Sequence, residues 1–170
     1  MVAIDRLLVE KEIVRTYTDF EFREHSGVTT VTGWVRPRAG GINFQVRVDL
    51  TPGFPFERPP LYIGRPELWT RDRKSRLIDI APSRPFHMYS TDATRLVRLC
   101  HTSKWDASVT CMKVLSKGIL WCQAYSEYLE TGEAVASILV RLYKQLTSLE
   151  QVPPSLPASA GRILAALQTR

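Results

Sequence analysis

The chain has 170 residues, of which 44% are hydrophobic, and this supplies the core of one globular domain and argues against intrinsic disorder. The longest unbroken apolar run has five residues, Ile163 to Leu167, whereas a membrane span needs roughly 20, so we expect no membrane span. A net charge of +6 favours an acidic partner without identifying one. The first fifteen residues mix acids into the apolar positions and lack the apolar block of a secretory signal, which indicates a cytoplasmic protein.

The first half of the chain predicts one helix followed by antiparallel strands. Apolar residues at spacings of three and four over the first fifteen residues predict an amphipathic helix. From Thr16 the period changes to two, and residues 28–35 and 43–50 alternate as half-buried strands do. The buried face of the second run is predicted to contain Phe44, Val46, Val48 and Leu50. Gly40 and Gly41 separate the two runs and predict a hairpin or meander.

A proline-rich connector follows the strands. Four prolines within residues 51–60 remove four backbone donors, which excludes both a ladder strand and a helix interior. A short apolar run at 61–63 then predicts one more strand. Residues 64–108 show little periodicity, and a stretch of this length is either functional or hides an element.

The second half of the chain predicts helices. One helix is predicted from an N-cap at Ser108 to a stop at Gly132, a second over 134–149, and a short last one from Ser159 to Leu167. Because strands precede helices along the chain, the predicted fold class is α+β, with an N-terminal helix, a four-stranded antiparallel meander and C-terminal helices packed on the sheet.

Basic residues cluster in the irregular stretch between Arg65 and Arg98, which contains eight basic and four acidic residues. Counterion release makes nucleic-acid binding one interpretation, and a solvated loop is the other. We favour the loop, because Trp69 is the one aromatic residue among these charges before Phe86, whereas single-strand binders interleave aromatic residues with their cations.

Three cysteines are too few and odd in number for a disulfide framework. Cys111 and Cys122 fall within a helical pattern and are predicted to be buried core residues. Cys100 lies in the irregular stretch with Arg98, His101 and Lys104 close in sequence, cations that would stabilise a nucleophilic thiolate if they also lie close in space. The chain has no Cys-x-x-Cys spacing and no glycine-rich phosphate loop, so we predict no metal site and no cofactor.

The order of these features resembles the ubiquitin-conjugating (UBC-like) enzymes. The features are a starting helix, a strand meander, the segment Pro52-Gly53-Phe54-Pro55-Phe56-Glu57-Arg58-Pro59-Pro60, then His87, Cys100, Trp105 and a helix opening near Ser108. In that family a Tyr-Pro-x-x-x-Pro-Pro segment precedes the fourth strand, a His-Pro-Asn triplet precedes the catalytic cysteine, and a Trp follows it. The resemblance covers about residues 1–150 and implies a conjugating domain over 1–152, with a Pro-rich connection and short helix over 153–170.

The resemblance implies roles for three residues. Cys100 would be the thioester-forming nucleophile, His87 would stand at the histidine of the triplet in an orienting role, and His101 is a second candidate catalytic residue. Met88 and Tyr89 replace the Pro and Asn that follow the family's histidine, and that Asn is the family's usual oxyanion-stabilising group. The replacement donors remain open: backbone amides around Cys100, or side chains of His101, Ser103 or Tyr89.

The segment Trp121-x-x-x-Tyr125 with Thr131-Gly132 is similar to a distant bacterial branch of the family, some of whose members occur in cyclic-oligonucleotide (CBASS) antiviral operons. This resemblance implies a cysteine-dependent transferase that forms a thioester with the C-terminal glycine of a partner protein. The implied partner is a cyclic-nucleotide-producing nucleotidyltransferase or a ubiquitin-like protein, which the transferase would conjugate or prime, with an activating enzyme as a further partner.

Two other interpretations remain open. The chain is either this enzyme or a catalytically inactive UBC-like binding module, since it keeps a cysteine and lacks the Asn; a nucleic-acid-binding domain is the third candidate. Phe54 and Phe56, in the proline-rich connector, either form a partner surface or plug the end of the sheet.

Overall fold

A computed structural model describes residues 6–25, 27–102 and 104–149. Over these ranges the fold is α+β, as predicted, with three α-helices and one antiparallel sheet of five strands in sequential order. Helix α1 spans Arg6–Tyr17, and the strands are β1 Glu21–His25, β2 Val28–Val35, β3 Phe44–Leu50, β4 Leu61–Arg65 and β5 Val97–Arg98. A 3-10 turn at Leu77–Ile80 precedes β5, and helices α2 Cys111–Thr131 and α3 Val135–Leu149 follow it.

The alternating runs form the centre of the sheet. β2 and β3 pair antiparallel, with Trp34 opposite Gln45 and Val31 opposite Val48, so the predicted hairpin or meander is confirmed. Phe44, Val46, Val48 and Leu50 are all buried on the face that meets α2, because every second side chain of a strand points to the same side.

The prediction of four strands is wrong, because residues 97 and 98 form a fifth. β5 pairs antiparallel with β4 through Tyr62 opposite Arg98 and Ile63 opposite Val97. Two residues are too few to show a period of two, which explains why the pattern was hidden in the irregular stretch. β5 brings the chain directly to Cys100 at the edge of the sheet.

Helix α2 crosses the inner face of the sheet, and its start differs from the prediction. Its N-cap is Thr110, whose hydroxyl accepts from Lys113 N at 3.2 Å, and not Ser108. A second acceptor comes from α1, where the buried Glu10 carboxylate accepts from Cys111 N at 2.9 Å. This contact joins α1 to the first turn of α2, whose unpaired N–H groups need acceptors.

The far end of α2 follows the prediction. Gly132 caps the helix with φ 79° and donates its N–H to Tyr128 O at 2.8 Å. Within the helix, Cys122 and Cys111 are fully buried, as their helical spacing predicted. The predicted helix over 159–167 and the segment 153–170 lie outside the described residues. No helix in the described ranges has the length and apolar character to span a membrane.

Candidate functional site

Cys100 follows β5 and lines a cavity of about 400 Å³ between the edge of the sheet and helices α2 and α3. The thiol-bearing residue is partly exposed, in contrast to the two helical cysteines. The apolar part of the wall consists of Leu61, Leu99, Trp121 and Leu139, and the polar part of His87, His101, Thr102, Lys117 and Tyr143. The structure therefore brings the three site residues predicted from sequence, Cys100, His87 and His101, to one cavity.

His87 fixes the backbone of Cys100 from both sides. Cys100 N donates to His87 O at 2.8 Å, and His87 Nδ1 lies 2.9 Å from Cys100 O. A carbonyl oxygen only accepts, so Nδ1 carries the proton in this pair and donates it. His87 also has φ 56°, a left-handed conformation that is uncommon for residues other than glycine and is found at functional sites.

The residues after His87 continue this pairing. Met88 forms an isolated antiparallel β-bridge with Leu99, and Tyr89 N donates to Arg98 O at 2.9 Å. Trp121 Nε1 on α2 donates to Phe86 O at 2.7 Å, which attaches the preceding residue to the helix. The segment from Phe86 to Tyr89 is thus held beside Cys100 by backbone hydrogen bonds.

The proline-rich connector holds the residues that follow Cys100. Arg58 Nη1 donates to Thr102 O at 2.9 Å, and Trp105 Nε1 donates to Pro55 O at 2.7 Å. His101 Nε2 lies 2.8 Å from Pro59 O, to which it donates. Since prolines restrict the connector's φ angles, these three bonds join the loop of Cys100 to a stiff support.

His101 is half-buried and is therefore not a fully solvated surface residue. Its ring contacts Trp105 edge-on with centroids 6.2 Å apart. Burial, and to a smaller extent the charges of Arg58, Lys117 and Arg98, lower the pKa of His101. The ring is therefore neutral at neutral pH, with Nε2–H committed to Pro59 and Nδ1 unprotonated.

Tyr89 adjoins the cysteine. Its hydroxyl accepts from Arg58 Nη1 at 2.8 Å, and the Arg58 guanidinium carbon lies 4.8 Å from the ring centroid. Burial first, and then interaction with the Cys100 side chain, raise the pKa of Tyr89. The phenol therefore keeps its proton at neutral pH. That proton meets Thr102 O at a long 3.3 Å, which leaves it able to turn to a stronger acceptor.

Lys117 and Tyr143 are cavity residues that the sequence reasoning missed. Lys117 Nζ lies 3.8 Å from the centroid of the Tyr143 ring. The sequence did contain a signal for Lys117, because it lies three residues after Val114 and four before Trp121, on the apolar stripe of α2. A lysine on the buried face of a helix is unusual, whereas a lysine on a solvent-exposed face is common.

The two phenylalanines of the connector differ in their exposure to solvent. Phe54 is partly buried against the core and packs on Trp105 with ring centroids 6.4 Å apart. Phe56 is 82% exposed and remains available to a partner.

Several arginines of the basic stretch between Arg65 and Arg98 form ion pairs or hydrogen bonds with other residues of the chain. Arg76 pairs with Asp79 and Glu67, and Arg71 donates to Leu129 O and Glu130 O. These contacts favour a structured loop over a nucleic-acid surface.

Within the described part of the chain, no group of three or more His, Cys, Asp or Glu residues is arranged to hold a metal ion. In comparisons with known proteins, no family model and no curated protein sequence matches this chain.

Proposed function

We propose that the protein is a UBC-like acyl transferase that carries the C-terminal glycine of a partner protein as a thioester on Cys100. One observation carries this proposal: of the three cysteines, Cys100 is the one that is partly exposed and lines a cavity, while its backbone is held by His87. A thiol that is reachable and positioned is what thioester exchange requires, because the reaction needs access and orientation and no cofactor.

Tyr89 is the proposed oxyanion-stabilising group. Attack on a thioester at Cys100 creates a negatively charged oxygen, which preorganised donors stabilise. The Tyr89 oxygen already accepts from Arg58, so its proton is polarised, and this proton faces the long contact to Thr102 O and the Cys100 side chain. Tyr89 would thus supply the hydrogen bond that the Asn of the family supplies, and His87 would orient the loop.

The finer points of the proposal come from the resemblance. They are the UBC-like fold family, a place in CBASS-type antiviral defence, and a partner that is either a nucleotidyltransferase or a ubiquitin-like protein delivered by an activating enzyme. A reducing cytoplasm suits the chemistry, because it keeps Cys100 as a free thiol.

A small acyl donor tests the chemistry without the partner. The donor is acetyl-glycyl-glycine as its mercaptoethanesulfonate thioester, and intact-mass spectrometry follows acyl transfer to the protein. We expect a single adduct on Cys100 that dithiothreitol removes and that Cys100→Ala abolishes. Cys111 and Cys122 serve as internal controls, since their burial should leave them unmodified.

An unstructured peptide with the sequence of residues 96–104 provides the comparison rate. If the folded site is built for acyl transfer, Cys100 in the protein should react faster than the cysteine of this peptide. Reaction no faster than the peptide would refute the transferase proposal and favour the binding module, for which the exposed Phe56 offers a contact surface.

A further inference from the structure

Lys117 occupies an unusual position for a lysine. It lies on α2 in the wall of the Cys100 cavity and also lines a second cavity of about 360 Å³, which shares His101, Thr102 and Tyr143 with the first. Among the described residues, no Asp or Glu lines either cavity, and Lys117 forms no ion pair with a carboxylate. Its Nζ lies against the face of the Tyr143 ring.

This environment changes the chemistry of the amine. Half-burial without a counterion disfavours the ammonium form, so desolvation lowers the pKa of Lys117. A larger share of Lys117 is therefore the neutral, nucleophilic amine than is the case for a solvated lysine. The ring of Tyr143 stabilises the remaining cation and holds the side chain at the cavity wall.

Cys100 and Lys117 thus line the same cavity, one with a thiol and the other with an amine. Tyr143 links them, because burial and then the charge of Cys100 raise its pKa to about 12 while Lys117 lies against its ring. Lys113, one turn earlier on α2, is exposed and lines only the second cavity. Lys117 is therefore placed for reaction with a group on Cys100 in a way that Lys113 is not.

We propose that Lys117 is an internal acyl acceptor, which takes the acyl group from a Cys100 thioester and ends as an amide. The inference rests on the proposed function, since it needs the thioester. In the reaction the neutral Lys117 nitrogen attacks the thioester carbonyl carbon, a C–N bond forms and the C–S bond breaks. The nitrogen loses one proton to water, the departing Cys100 thiolate regains one, and no oxidant or reductant is required. The product is a self-modified protein with a regenerated Cys100 thiol.

The acetyl-glycyl-glycine thioester described above tests this step as well. After acylation and further incubation, dithiothreitol removes thioesters and leaves amides. We expect a fraction of the protein to keep one acyl group, and tandem mass spectrometry of the digest should place that group on Lys117.

Two variants separate the acceptor from its neighbours. Lys117→Arg keeps the charge and should still form the thioester, with the dithiothreitol-resistant product reduced about tenfold or more because a guanidinium is not a nucleophile at neutral pH. Lys113→Arg is the matched control and should leave the product unchanged. Mapping the amide in the unaltered protein keeps the test valid even if a variant folds poorly.

The outcomes distinguish the two proposals. A thioester on Cys100 with no amide on Lys117 overturns the internal acceptor and leaves the transferase standing. An amide on Lys117 in Cys100→Ala would show direct attack on the donor and would overturn transfer from Cys100. Absence of any thioester would overturn the proposed function itself.

Discussion

Replacement of Tyr89 by phenylalanine removes one hydroxyl and keeps the ring that lies beside Arg58 and Arg98. The hydroxyl accepts one hydrogen bond, from Arg58 at 2.8 Å, and Arg58 retains its second acceptor, Thr102 O. No buried charge is therefore left without a partner. Loss of this charge-assisted bond and of the long contact to Thr102 O should lower the free energy of unfolding by about 2 kcal/mol.

The expected effect on acyl transfer is larger. If the Tyr89 proton stabilises the oxyanion at Cys100, its removal should slow acylation roughly 10²-fold, as loss of one oxyanion donor does in other enzymes. That factor corresponds to about 2.7 kcal/mol of transition-state stabilisation. A domain of at least about 5 kcal/mol stability would still be more than 99% folded after the loss of about 2 kcal/mol, so unfolding cannot account for the slower reaction.

The assay compares acylation rates by intact-mass spectrometry with urea denaturation of the same samples. Tyr62→Phe is the matched control, because the Tyr62 hydroxyl donates to Asp92 at 2.6 Å and Tyr62 does not line the Cys100 cavity. This variant loses a bond to a carboxylate and should lose as much stability as Tyr89→Phe or more, with no change in rate. A wild-type rate in Tyr89→Phe, or an equal slowing in Tyr62→Phe, would refute the oxyanion role.

Three further changes test packing and buried charge. A Cβ on Gly118 would lie 2.9 Å from Val46 Cγ1, so in urea denaturation Gly118→Ala should lose about 1 kcal/mol despite its better helix propensity. Burial raises the pKa of Glu10 above its ordinary 4.5, so folding favours the protonated acid. Urea unfolding should therefore show stability relative to Glu10→Gln falling as pH rises from 4.5 to neutral. Burial lowers the pKa of His101 below 6.5, so the unfolded chain binds the proton first; thermal melts should show stability relative to His101→Gln falling below pH 6.5.

Each of these three predictions could be contradicted by a specific result. A more stable Gly118→Ala would mean that the sheet accommodates a methyl group at this contact. A pH slope of the opposite sign would mean that Arg6 and the Cys111 amide outweigh burial at Glu10, or that protonated His101 finds an acceptor in the fold.

The sheet was readable from sequence because its strands have one buried and one half-exposed face. The alternation of Phe44, Val46 and Val48 with polar residues directly records burial on one side. The burial of Cys111 and Cys122 was readable for a similar reason, because helical spacing assigns them to the packed side of α2. Strand β5 has two residues, which are too few for an alternation of buried and exposed residues to appear in the sequence.

The sequence by itself determined the α+β class, the stiff connector of residues 51–60, and which cysteine stands apart from the core. Only the tertiary structure decided what surrounds that cysteine. Arg58, Tyr89 and Lys117 come from the connector, the segment after His87 and helix α2. They lie around Cys100 although they are 11 to 42 residues away from it along the chain. Such contacts depend on how the elements pack in space, and local patterns of polarity encode only the face that each element buries.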